Sequence, residues 1–117
     1  HTLDLKHTGV VPIVDLARVY ALAGGVKAVN TFERLAAAAA ARTLSKDGSL
    51  DLTDALEYIS LTRLRHQARR IREGHKADNY LQPDELSGFE RGHLKTAFTV
   101  VKTMQAAMAT TYQLGRF

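Results

Sequence analysis

The chain has 117 residues, 45% hydrophobic and 24% charged, which suits one globular domain with a single modest core rather than a disordered segment. It contains no cysteine, which excludes a disulfide scaffold and Cys-ligated zinc and makes a reducing cytoplasm the default location. The formal charge of +4 is concentrated: residues 63–76 carry Arg63, Arg65, Arg69, Arg70, Arg72 and Lys76 against Glu73 alone, a net of +5 that leaves −1 for the rest. A protein that coats nucleic acid would spread its positive charge further. No apolar run approaches the roughly 18 residues that cross a bilayer, so no membrane span is expected. The chain opens on His1 without a signal peptide, and residues 1–117 therefore read as one domain of a longer polypeptide.

The elements are helical throughout. Pro12 stands early in a first helix whose Ile13, Leu16, Ala17, Tyr20 and Ala21 recur at helical period, and Gly24-Gly25 ends it. Asn30 reads as the N-cap of a second helix, with Glu33 three residues on in a capping-box-like pair. Phe32, Leu35 and the run Ala36–Ala41 continue it, giving high helix propensity and a thin face for close packing. "SKDGS" (45–49) reads as a break. A third helix is expected from about Leu50 to Glu73, with Gly74 as its stop and Asp51, Asp54 and Glu57 meeting the dipole at its start.

That third helix changes character along its length. Leu52, Ala55, Leu56 and Ile59 share a face, and the same face continues as Arg63, His66, Gln67 and Arg70. The apolar Leu61, Leu64, Ala68 and Ile71 lie more than a quarter-turn away. Two readings are open. Either the basic residues are merely solvated or paired with carboxylates, or they line a cleft, for which the planar arginine fork suits phosphate or carboxylate. His66 would add a tunable donor to such a cleft.

"ADNYLQPDELS" (77–87) reads as a connector with a short turn at Pro83. Ser87 and Glu90 form a second capping box. The last helix carries the stripe Leu94, Ala97, Phe98, Val101, Met104, Gln105, Met108 and Tyr112 to about Leu114, roughly 40 Å long. Without convincing strand alternation, the fold expected is all-α: an antiparallel bundle of four to five helices with a long C-terminal helix.

Self-contained covalent chemistry is missing. The five histidines (1, 7, 66, 75 and 93) form neither an HxxxH nor an HExxH pair, so no zinc site is expected. "DGSLDL" has Leu52 and Tyr58 where a calcium loop needs glycine and glutamate. There is no Walker loop, and no serine has a base partner visible in the sequence.

The stretches "LDLKHTGVVPIVDLARVYAL" (3–22), "NTFERL" (30–35), "RLRHQ" (63–67), "DNYLQPDELS" (78–87) and "ERGHLKTAF" (90–98) appear in order over nearly the whole chain. Together they resemble the helical C-terminal substrate-binding domain of a family of bacterial multidomain signalling nucleotidyltransferases. The resemblance implies an upstream catalytic domain similar to that of PII-protein uridylyltransferases, preceded by CBS and cyclic-nucleotide-binding-like domains. It implies that Mg and a nucleoside triphosphate bind that upstream domain, through a D-x-D carboxylate pair this chain lacks, and that no cofactor binds here. No catalytic or metal-binding residue is therefore expected in the chain. The family's motifs point to Lys6, His7, Arg18, Arg63, His66, Arg70, Asn79 and Tyr80 as substrate-binding candidates, although Asn79 can simply cap a turn and Tyr80 simply pack. Gly88 and Gly92 depart from the family pattern and loosen the start of the last helix. The function implied is non-catalytic substrate recognition through a local basic cleft. The alternatives are a nucleic-acid-binding bundle on the third helix and an interaction module that homodimerises through the last one.

Overall fold

A computed structural model describes residues 2–113, with side chains described as far as Thr111. Four α-helices account for most of these residues: α1 (Val11–Ala23), α2 (Thr31–Ala40), α3 (Lys46–Arg72) and α4 (Gly88–Gln113). The all-α bundle with a long last helix is therefore the observed fold. Tyr112 and Leu114 of the expected α4 stripe lie outside the described side chains. Among the described residues, no helix is long and apolar enough to cross a membrane.

α3 and α4 form the long antiparallel pair. Near the middle of α3 and the start of α4, the Tyr58 hydroxyl donates to the Glu90 carbonyl (3.1 Å), and the Tyr58 ring stacks on His93 at 3.7 Å. At the other end, Gly48 lies against Met104. The expected α1 stripe is buried in full: Ile13, Leu16, Ala17, Tyr20 and Ala21. These side chains join Leu35 and Ala38 of α2, Leu52, Ala55, Leu56 and Ile59 of α3, and Leu94, Ala97 and Val101 of α4 in one core.

Helix ends follow local chemistry. Asn30 caps α2 by accepting from the Phe32 and Glu33 amides, and Ser87 and Glu90 exchange both bonds of a capping box before α4. α1, α2 and α3 each end with a left-handed residue and the paired back-bonds of a Schellman turn, as in His75 N–H to Arg70 O and Gly74 N–H to Ile71 O. Glycine fills the left-handed position after α1 (Gly25) and α3 (Gly74), but after α2 it is Arg42, at φ 64°. A side chain with Cβ is strained there, so Arg42→Gly is expected to raise stability by about 0.5–1 kcal/mol, read as a higher denaturation midpoint at unchanged m.

Three expectations require correction. α3 begins at Lys46 instead of Leu50, because Ser45 caps it by accepting from the Gly48 amide; the break lies earlier, at Arg42. Gly48 sits inside the helix where a Cβ would stand 2.8 Å from Ser45 Oγ and 3.0 Å from Met104 Cε, so tertiary contact overrides its poor helix propensity. With that start, Asp47 is the first-turn acid, and Asp51, Asp54 and Glu57 lie beyond the reach of the dipole. Finally, Lys6–Val10 forms a π-helical turn leading straight into α1, and two short strands occur, β1 (Leu3–Asp4) and β2 (Tyr80–Leu81). They pair antiparallel, Leu3 with Leu81 and Asp4 with Tyr80, and tie the N-terminus to the connector.

Candidate functional site

The face change along α3 is real. Leu52, Ala55, Leu56 and Ile59 are buried, and the continuing face turns His66 fully inward with Arg63, Gln67 and Arg70 half-buried. On the opposite side Leu61, Leu64, Ala68 and Ile71 are exposed to solvent. The inherited face meets the connector between Gly74 and α4, and the connector explains why polar side chains can occupy a core-facing position.

His66 is the centre of that contact. Its Nε2 lies 2.6 Å from Asp78 Oδ1 and its Nδ1 lies 2.9 Å from Glu85 Oε1, so a carboxylate engages each ring nitrogen. Burial works against charge on the ring, but hydrogen bonds and attraction from Asp78 and then Glu85 outweigh it and hold the His66 pKa above its ordinary value. The partners move the other way. The hydrogen bond to His66 is the main cause that lowers Asp78; burial opposes charge on Glu85, yet the Gln82 amide and His66 hold it low. A carboxylate at each ring nitrogen thus favours the protonated form of His66.

The other connector bonds are equally specific. Arg63 Nε donates to Asn79 Oδ1 (2.5 Å), and Gln67 Nε2 donates to the same oxygen (3.1 Å). Asn79 also accepts at its carbonyl from the Leu5 amide, and Asp78 folds the chain by accepting from the Tyr80 amide. Arg70 Nε donates to the Lys76 carbonyl and lies 3.4 Å from Asp78 Oδ2. Arg69 pairs with Glu73 (3.2 Å) and, more loosely, with Glu85 (3.7 Å).

Above the His66 cluster is a cavity of about 200 Å³ lined by His66, Arg69, Arg70, Glu73, Tyr80, Gln82 and Glu85. Its cations face carboxylates, so the lining is polar and close to charge balance. Such a surface presents fixed donors and acceptors together, which suits a polar group that both donates and accepts.

Of the candidate residues, Arg63, His66, Arg70, Asn79 and Tyr80 are brought together here. Arg63 and Asn79 are committed to each other, while Arg70 and the half-exposed Tyr80 reach the cavity. Lys6 and His7 lie on the π-helical turn just after β1, where the Asp4 carboxylate accepts from both their amides and contacts the His7 ring at 2.9 Å. Hydrogen bonding from the His7 amide first of all holds the Asp4 pKa below its usual value. Arg18 stands apart on α1 and reaches Asp15 at 3.5 Å. Sequence reasoning missed Asp78 and Glu85. The available signal was the acidity of the connector, whose Asp78, Asp84 and Glu85 follow directly on the net +5 segment. Among the described residues, no group of three or more His, Asp or Glu side chains is placed to hold a metal ion.

Neither the curated proteins nor the solved structures compared with this chain gave a significant match. Residues 1–112, in contrast, match the family described as "Putative nucleotidyltransferase substrate binding domain". That match covers almost the whole chain, and the chain belongs to this family.

Proposed function

We propose that the domain is the non-catalytic recognition half of a nucleotidyltransferase and that the α3–connector pocket holds a polar group of the acceptor substrate. The observation that carries this reading is the pocket itself. Arg70 and Tyr80 stand at its edge on a frame that His66, Asp78, Glu85, Arg63 and Asn79 lock in place. Preorganised donors of this kind position a substrate without paying for their own ordering at the moment of binding.

The metal ions and nucleoside triphosphate belong, in this proposal, to a catalytic domain of the same protein. The exposed stripe of Leu61, Leu64, Ala68 and Ile71, flanked by Arg65 and Arg72, is the face we assign to that domain, since a row of apolar side chains with a positive margin suits an acidic-rimmed partner. By the same resemblance, CBS and cyclic-nucleotide-binding-like domains would supply regulation in a cytoplasmic enzyme.

Arg63 is a poor place to test the pocket, because its removal would free the connector. Arg70→Ala combined with Tyr80→Ala is expected to lower kcat/KM for transfer by the full-length enzyme about 10- to 100-fold, the equivalent of one or two lost charge-assisted hydrogen bonds, with the helical fold retained by circular dichroism and a modest loss of thermal stability from the Arg70 bonds to the connector. Unaltered transfer kinetics in that variant would refute this site.

A further inference from the structure

A second cavity, of about 330 Å³, lies along α4 on residues unrelated to the His66 cluster. Leu94 and Phe98 form its floor, Leu3 and Pro83 add apolar wall, and Arg91, Lys95 and Lys102 stand over it. The three cations follow at i, i+4 and i+11, which places them within about 40° on one side of the helix over roughly 16 Å.

The charge pattern is the opposite of that in the α3 pocket. No Asp or Glu lines this groove, and none of its three cations forms an ion pair among the described residues. Arg91 is held by hydrogen bonds from Nη1 to the Leu86 carbonyl (2.8 Å) and the Pro83 carbonyl (3.4 Å), so its guanidinium is fixed in place. Among the described residues, the Lys95 and Lys102 ammoniums form no ion pair. Like charges at i and i+4 oppose helix formation, and Arg91 and Lys95 stand in that relation with no carboxylate between them among the groove's lining residues. A row of cations with no carboxylate facing it suits an anionic ligand.

The apolar part narrows the ligand. An inorganic anion would meet the lysines but leave the half-buried Phe98, Leu3 and Pro83 unused, and an uncharged apolar ligand would leave the cations unmatched. The volume falls in the range of small organic ligands. We infer that the α4 groove binds an organic phosphate with an aromatic body, of mononucleotide size, the body lying against the half-buried Phe98, Leu3 and Pro83 and the phosphate meeting Lys95 and Lys102. This inference is independent of the acceptor pocket assigned above.

Because all four helices contribute to one core, the 117-residue chain itself serves for the test. AMP, adenosine and inorganic phosphate are titrated into it by calorimetry or NMR at low ionic strength. The expected result is saturable one-to-one binding of AMP, at least tenfold tighter than either fragment. Lys95→Glu with Lys102→Glu should weaken it at least tenfold, whereas Arg70→Ala with Tyr80→Ala should leave it intact. If the charge reversal disturbs the fold on thermal melting, the neutral pair Lys95→Gln and Lys102→Gln takes its place, with the same loss expected. The inference is overturned if AMP does not saturate, binds no better than phosphate, or binds the lysine variants as well as the parent.

Discussion

Ile59→Ala is expected to destabilise the domain by about 3–4 kcal/mol, a large share of the roughly 5–15 kcal/mol available to a domain of this size. Ile59 is fully buried near the middle of α3, packed between Gly9 of the π-helical turn and the core, with Phe98 of α4 close by. Removing three carbons there loses their transfer energy and leaves a cavity that two long helices and a tight turn cannot readily close. The melting temperature should fall by roughly 10–15 °C. Ile71→Ala supplies the control. It is the same change on the same helix, but Ile71 is 63% exposed, so a shift within about 0.5 kcal/mol is expected. Equal losses at the two positions would contradict the placement of the α3 faces.

The second large effect concerns His66. His66→Ala should cost about 2–3 kcal/mol near pH 5.5, since it leaves Asp78 and Glu85 facing each other without the cation between them. The magnitude stays below that of a fully buried pair because the side chains of Asp78 and Glu85 keep 30% and 18% of their exposure. The pH dependence identifies the cause. The folded His66 pKa is raised, so its contribution is complete below its ordinary value of 6.5 and is lost as pH climbs through the folded value. The Asp78 and Glu85 values are lowered, so their contributions are complete above their ordinary values of 3.8 and 4.5 and fade as acid titrates the folded carboxylates. The difference between parent and variant should therefore be greatest between about pH 4.5 and 6.5 and shrink on either side. Urea melts from pH 3 to 9 would show it; a difference that stays constant across that range would mean the imidazole acts by packing alone.

Much of the architecture was legible in the residues because helices announce themselves locally. The α1 stripe, the Asn30 cap and the Ser87–Glu90 capping box depend on neighbours within four positions, and each appears as read. The start of α3 was misplaced because Gly48 has low helix propensity on its own. Its tolerance comes from Met104, 56 residues away in the chain. The two-residue strands had no period to detect, and only the approach of the connector to the N-terminus creates them.

The site divides in the same way. The sequence by itself determined that α3 presents a polar face where a core face should continue, because helical period places His66 in line with Ile59. Only the tertiary structure decided what that face meets. Asp78 and Glu85 reach His66 across separations of 12 and 19 residues, set by the path of the connector over α3, and no periodicity records such a path. Tertiary packing likewise gathered Leu3, Pro83 and the cations of α4 into one groove from three separate segments. Local spacing specifies which side chains share a helix face; what opposes that face depends on burial across the whole chain.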